Sequence, residues 1–450
     1  MKFIETLKNV WKIEELRNRI LLTLGLLLVY RFGAQVVLPG IDASKLAEFA
    51  GKFDDGGLGG LLNAFTGGAF ANASVFALGI MPYISASIVV QLMQIAVPYL
   101  QKLQKEGESG RKKINQITRW LTIGICLVQA PTYLIGLPAL GVPVEAFILG
   151  QSTMFYISST IILVTGCVFA MWLGEKITDK GIGNGISILI MVGIIARLPQ
   201  SFAQEFASRV IESNGGMIMI LIELVIWFVI IMASIMLVMA VRKIPVQYAR
   251  RTASGGYEKN IFGARQFIPL KLNASGVMPI IFAQAIMFVP GLIGGASFLK
   301  DSTVGQWMQV NFNDIFGLWY NVLFAVLIII FTYFYTAITV PTNKMADDLK
   351  RSGGFIPGIK PGTDTAELLD RIMSQITLPG SIFLAFIAIF PGIAVKLFGI
   401  QQGWALFYGG TSLLIMVGVA IDTMQQINSY LLNRHYDGLM KTGKNRKAVA

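Results

Sequence analysis

Long apolar stretches, most of them separated by clusters of Lys, Arg, Gly or Pro, recur along the whole chain. A helix needs roughly 20 apolar residues to cross a bilayer. Ten stretches qualify: 20–38, 75–97, 119–138, 153–173, 186–198, 217–240, 274–294, 319–340, 377–395 and 404–424. The fifth is short, closed by Arg197 and Pro199. At about 1.5 Å per residue it covers about 20 Å of a roughly 30 Å core, which predicts that it borrows helix from the Gly-rich loop before it. Residues 1–19 set Phe3, Ile4, Leu7, Val10 and Trp11 among Lys and Glu. They read as an amphipathic helix lying at the interface ahead of the first span, with no cleavable leader evident.

One phrase occurs twice. Gly79 to Ile84 reads GIMPYI and Gly276 to Ile281 reads GVMPII, 197 residues apart, and the same offset separates the opening of the first span near Ile20 from that of the sixth near Met217. The chain therefore reads as two related halves, each with a Gly/Pro-interrupted second span. Proline inside a helix removes a donor and kinks it, and in a bilayer that is tolerated where protein or a water-filled cavity covers the freed carbonyl. Interrupted spans at matching places in two halves point to a transport pathway.

Composition agrees with a polytopic membrane protein: mean hydropathy is +0.64 and only 14% of the 450 residues are charged, against a soluble average of about 25%. Thirty of the 37 Lys and Arg fall in the two termini and alternate loops, and six on the other side. That bias places both termini and the large loops 241–273 and 341–376 in the cytoplasm. The net charge of +12 follows in part from this topology and favours anionic lipids. The two large loops mix charge with Gly, Pro and apolar residues, as in FIPGIKPG from Phe355 to Gly362. They read as surfaces for an acidic protein face or an RNA backbone.

Enzyme chemistry finds little support. GxxxxGK[ST] is missing, which excludes nucleotide hydrolysis through a P-loop. GIGNG (Gly181 to Gly185) follows no strand and reads as a packed turn. Cys126 and Cys167 lie in separate spans, and His435 is alone in the tail, so neither a metal site nor a disulfide framework is expected. Coupled transporters place carboxylates near the midplane. Here Glu223 is the one candidate, with Glu175 and Asp422 at span ends. The centres of the interrupted spans hold Ile, Met, Ser and Gly instead, as a hydrophobic constriction that closes by dewetting would, or as ordinary interhelical packing would. Small residues there (Ser85, Ala86, Ser87; Ala274, Ser275, Gly276) let helices approach closely.

Six phrases in order carry a family resemblance: LPGID (Leu38 to Asp42), ALGIMPYISASI (Ala77 to Ile88), KEGESGRKK (Lys105 to Lys113), MWLGEKITDKGIGNGISI (Met171 to Ile188), PGIKPG (Pro357 to Gly362) and GGTSLLI (Gly409 to Ile415). Over essentially its whole length the chain resembles the SecY family, the central subunits of bacterial protein-conducting channels. The resemblance implies an all-α fold of ten transmembrane helices in two inverted-topology five-helix halves, 20–200 and 201–424, hinged near 200–216 around an hourglass pore, with a basic tail at 425–450. It implies a pore ring of Ile80, Ile84, Ile186, Ile190, Ile281 and Ile415, and Ile80/Ile84 and Ile186/Ile190 are each four apart and so share a helix face.

A plug at about 61–72 is implied (Leu61, Leu62, Asn63, Phe65, Gly67, Gly68, Phe70, Asn72), whose paired glycines suit a segment that must move. A lateral gate between the second/third and seventh/eighth spans is implied too, with Ser85, Gln129 and Val289. Arg250, Arg251, Lys259, Arg265 and Lys360 are implied as motor or ribosome contacts. The family usually has arginine where Lys360 stands, so the charge is kept and the bidentate fork lost. Implied partners are SecE and SecG, the SecA ATPase, the ribosome, signal sequences and preproteins, with SecDF and YidC beside them. No cofactor, metal or catalytic residue is implied. The expected activity is passage of unfolded preproteins across the bacterial cytoplasmic membrane and lateral release of apolar segments, driven from outside the channel. The competing reading is an inverted-repeat transporter for a small solute, with an intramembrane enzyme a distant third.

Overall fold

Each of the ten predicted spans contains one helix, numbered here in chain order: α1 Glu14–Gly33, α2 Met81–Ala96, α3 Glu108–Ala139, α4 Thr153–Lys180, α5 Gly185–Val210, α6 Gly216–Met239, α7 Met278–Gly294, α8 Leu318–Thr339, α9 Thr363–Phe398 and α10 Gly410–Arg446. The structure, a computed structural model, describes residues 11–446 apart from 12, 51–57, 140–141, 143, 149–151, 211–215, 249–265 and 295–301. Among the described residues seven helices are each long and apolar enough to cross a bilayer alone: α3, α4, α5, α6, α8, α9 and α10. The start of α1 carries Glu14, Glu15, Arg17 and Arg19, and α2 and α7 are only 16 and 17 residues long. Of the expected interfacial segment 1–19, residues 1–10 and 12 lie outside the described residues, and its end is the first turn and a half of α1.

Two expectations about these spans are corrected. The prolines of the repeated phrase do not interrupt helices; they start them. Pro82 is the second residue of α2 and Pro279 the second of α7, where a missing N–H costs nothing and a fixed φ helps. Each helix is preceded by a glycine in the left-handed region, Gly79 at φ +54° and Gly276 at φ +64°. The apolar residues before α2 are a buried run of turns, with Phe76, Ala77 and Leu78 all inside protein. The fifth span, for its part, takes no helix from the Gly-rich loop. It starts at Gly185 and gains its length at the other end, through Pro199 to Val210. There a buried Glu205–Arg209 pair at 2.8 Å stabilises the extension, and the second Glu205 oxygen accepts the Gln401 N–H at 2.9 Å.

Loops 241–273 and 341–376 contain structure that the hydrophobic pattern did not predict. Strand β1 (Val241–Tyr248) pairs antiparallel with β2 (Gln266–Lys271), Val241 opposite Lys271, and at its far end with the two-residue β3 (Gly354–Phe355). Pro245 is tolerated because β3 covers only Gln247 and Tyr248, which leaves that edge of β1 open at the proline. Ile244, Val246 and Leu270 pack on Leu349, Ile356, Leu369 and Met373, so the sheet, the helix Thr342–Arg351 and the first turns of α9 share one small core.

The chain forms two compact units. One comprises residues 1–212 with 401–404 and 418–450; the other comprises 213–400 with 405–417. In the first, Leu38, Phe70, Tyr133, Leu134, Leu137, Phe147, Phe155 and Leu163 belong to one buried cluster. Leu38 of LPGID donates its N–H to the Ala73 carbonyl (2.9 Å), and Asp42 donates its own to Ala146 (2.8 Å). The Asp42 carboxylate accepts the Ser44 hydroxyl (2.6 Å) and N–H (3.0 Å), which hold it below the usual carboxylate range.

Candidate functional site

The short helix Leu58–Thr66 and the turns after it form a segment stapled to itself. The Asn63 side-chain oxygen accepts the Ala71 N–H (3.0 Å), and its carbonyl accepts the Gly68 N–H (2.9 Å). The Thr66 hydroxyl oxygen accepts the Phe70 N–H at 3.1 Å. Gly67 and Gly68 sit at φ +65° and +93°, a region closed to most L side chains, and there the segment doubles back.

Four helices of the first unit meet this segment. Arg31 of α1 donates to the Gly67 carbonyl at 3.1 Å. Tyr133 of α3 donates its hydroxyl to the Phe70 carbonyl at 2.7 Å, and the two rings lie 4.9 Å apart. Helix α5 comes so close that a Cβ on Gly193 would stand 2.7 Å from the Phe65 carbonyl oxygen, and one on Gly67 would stand 2.8 Å from the Gly193 Cα. At the start of α2, a Cβ on Gly79 would stand 3.0 Å from the Thr66 methyl. Gly79 precedes Ile80 and Gly193 follows Ile190 by three residues, so the segment touches both helices at the level of their isoleucines.

Ile80 caps α2 and is buried, and its carbonyl accepts the Ile84 N–H at 3.1 Å, which stacks the half-buried Ile84 one turn above it. On α5, Ile186 is half-buried and Ile190 buried. Ile186 needs the space left by Gly174 of α4, where a Cβ would come within 2.8 Å of its Cγ1. In the second unit, Ile281 of α7 is half-buried and Ile415 of α10 buried. A buried hydrogen bond of 2.7 Å from the Thr411 hydroxyl to the Gln284 side-chain oxygen pins α7 to α10, about one turn from each of those isoleucines.

The other expected residues are less concentrated. Ser85 is half-buried on α2 and Gln129 is exposed on α3. Val289 belongs to α7, but its side chain lies outside the described residues, as do those of Leu61 and Leu62, while Arg250, Arg251, Lys259 and Arg265 lie outside them altogether. Lys360 is exposed on the turn before α9, where Gly358 and Gly362 have φ of +86° and +123°, and its carbonyl accepts the Thr365 hydroxyl at 2.9 Å. Of the carboxylates, Glu175 is taken by a bidentate pair with Arg119 at 2.6 and 2.9 Å. Glu223 is buried in α6.

Sequence reasoning missed Arg31, Tyr133 and Gly193. Arg31 did carry a signal, as the one Lys or Arg inside the first span, because a charge at membrane depth marks a functional contact by default. Tyr133 and Gly193 carried none: each contact joins residues more than sixty positions apart.

Known proteins resemble this chain in both sequence and fold. The SecY family model matches residues 74–424. The protein translocase subunit SecY of Bacillus subtilis is 40% identical over 449 residues, covering 97% of this chain and 99% of that one. Among solved structures, a protein-conducting channel superposes with a TM-score of 0.59 at 17% identity, covering 91% of each chain. Sec61 in the canine ribosome–channel complex from the endoplasmic reticulum does so with a TM-score of 0.55 at 16% identity, again covering 91% of each.

Proposed function

The chain belongs to the SecY family of protein-translocase subunits, and from that premise we propose how its parts share the work of moving a polypeptide. It is a multi-pass membrane protein and a channel subunit, not an enzyme. The observation that carries the proposal is the seat of the segment 63–72 against α1, α3, α2 and α5 beside the isoleucine pairs. That segment is the plug. Ile80, Ile84, Ile186, Ile190, Ile281 and Ile415 form the constriction, a collar with no group to hydrate an ion that yields to a passing chain without binding it. Two halves, 20–200 and 201–424, hinge near 200–216 to open it. Membership of the family supports a conduit rather than a solute transporter.

The chain resides in the bacterial cytoplasmic membrane with both termini inside, beside SecE and SecG, and SecDF and YidC work at the same channel. Force comes from SecA or a translating ribosome acting on the 241–273 and 341–376 module and on the 425–450 tail. The ribosome-bound Sec61 neighbour supports the second source. Lys360 is an exposed docking charge on a turn stiffened by Pro357 and Pro361. Lys360→Glu cuts motor-driven translocation at least about tenfold, a change of 1.4 kcal/mol in the docking step, while the channel stays folded and ion-tight. An unchanged translocation rate would make the residue an ordinary solvated lysine.

Signal sequences enter between α2/α3 and α7/α8, where Ser85, Gln129 and Val289 line the gate. Ser85→Cys with Val289→Cys, in a background lacking Cys126 and Cys167, forms a disulfide under oxidation. The bridge stops translocation of a preprotein and reduction restores it. Full transport through the bridged channel would sink this gate assignment.

A further inference from the structure

The Gly-rich loop 181–185 has no place in the mechanism above, yet side chains from outside it hold its backbone. Its N–H groups are taken by side chains from three helices. Thr23 of α1 accepts the Ile182 N–H at 3.2 Å and donates its hydroxyl to the Arg19 carbonyl at 2.8 Å. Gln426 of α10 accepts the Gly183 N–H at 2.8 Å. Thr178 of α4 accepts the Gly185 N–H at 2.9 Å, and the Asn184 side chain caps the Ser187 N–H. No side chain fits at the glycines: a Cβ on Gly181 would stand 2.5 Å from the Thr23 hydroxyl, and one on Gly183, at φ +78°, would stand 2.7 Å from Ile188 and 3.0 Å from the Thr423 hydroxyl. A Cβ on Gly185 would run into the Gly174 carbonyl.

Thr423 and Gln426 are three apart on α10 and therefore share a face. Just beyond them Ile427 and Leu431 pack with Leu16, Ile20 and Ile182, and the Arg19 guanidinium lies 5.3 Å over the Tyr430 ring. The turn held in this way leads directly into α5, whose first residue is Gly185, and Ile186 and Ile190 follow within its first two turns.

We propose that Thr23 and Gln426 are positioning residues that clamp the 181–185 loop and so set the placement of Ile186 and Ile190, coupling the C-terminal helix to the constriction. The inference rests on the collar assigned under the proposed function, and the test separates the two.

The full complex with its small membrane subunits is reconstituted in planar bilayers, and resting ion conductance is read for Gln426→Leu, Thr23→Val and Ile190→Ser. Gln426→Leu and Thr23→Val each raise it about fivefold, the factor set by losing one net hydrogen bond. Gln426→Glu and Thr23→Ser, which keep an acceptor oxygen, restore the resting level. In a background lacking Cys126 and Cys167, Ile190→Cys is labelled faster by a membrane-impermeant maleimide when Gln426→Leu is added. A clamp that is structural alone lowers the melting temperature and leaves conductance and labelling at the parental level, and that result overturns the inference. Should Gln426→Leu fail to assemble, Gln426→Asn, one methylene too short to reach Gly183, is read the same way. If Ile190→Ser leaves conductance unchanged, the collar assignment fails; the labelling rate then decides the clamp alone, and unaltered labelling overturns it.

Discussion

Changing Ile84, Ile190 and Ile281 together to serine raises the resting ion conductance of the reconstituted channel by at least about tenfold. Each isoleucine side chain opposes hydration by roughly 1.5–3 kcal/mol when kept from water, and a shift of 1.4 kcal/mol is already tenfold in a wetting equilibrium. Serine supplies a hydroxyl that holds water, so the three changes widen the constriction and line it with hydrogen-bonding groups. Single changes act less, because the stapled segment beside Ile80 and Ile190 still closes the path. The measurement is conductance in planar bilayers without preprotein. A triple variant with the resting conductance of the parent means that these isoleucines are interhelical packing and that the pathway runs elsewhere.

The seat of the proposed plug offers the second large effect. Gly193→Ala places a methyl group 2.7 Å from the Phe65 carbonyl oxygen, a backbone atom that cannot swing away. Overpacking of this kind costs about 1–3 kcal/mol, and one or two kcal/mol changes an occupancy by roughly 5–30-fold. Gly193→Ala therefore loads the unseated state, seen as faster maleimide labelling of Phe65→Cys and a raised resting conductance. Arg31→Met, which keeps the length of the side chain and removes the donor to the Gly67 carbonyl, moves both readouts in the same direction. Labelling of Phe65→Cys at the parental rate in both variants would show that neither contact holds the segment.

The ten helices were legible in the sequence because apolar runs of bilayer length need no tertiary information to be seen. Their ends were not. Residues 73–80 are as apolar as the helix they precede, and only their packing against protein distinguishes a buried turn from membrane helix. The proline in each repeated phrase was read as a break for the same reason: Pro82 and Pro279 lie close to apolar residues on both sides, and hydropathy cannot tell a helix start from a helix interior. The charged loops concealed the small sheet, since β1 alternates burial over only a few residues and pairs with a strand whose connecting segment is long. The isoleucines were singled out by family resemblance and spacing, whereas nothing in the sequence linked Arg31, Tyr133 or Gly193 to the segment they touch. Their contacts to Gly67, Phe70 and Phe65 bridge distant stretches of chain that no local pattern connects.

The first compact unit is not continuous in sequence, and this has a consequence for biosynthesis. Gln401, which occupies the second oxygen of Glu205, and Gln426, which holds Gly183, are made last, after almost two hundred residues of the other unit have left the ribosome. Until then α1 lacks Ile427 and Leu431, and the turn ahead of α5 lacks one of its clamps. Chains fold largely in the order of synthesis, and closing contacts across so long a separation is slow. The nascent protein therefore elongates through the whole of the other unit with the turn ahead of α5 still short of its Gln426 contact. A nascent chain arrested at residue 400 stays a target for membrane proteases, while completion of the final fifty residues closes the assembly in a single late step.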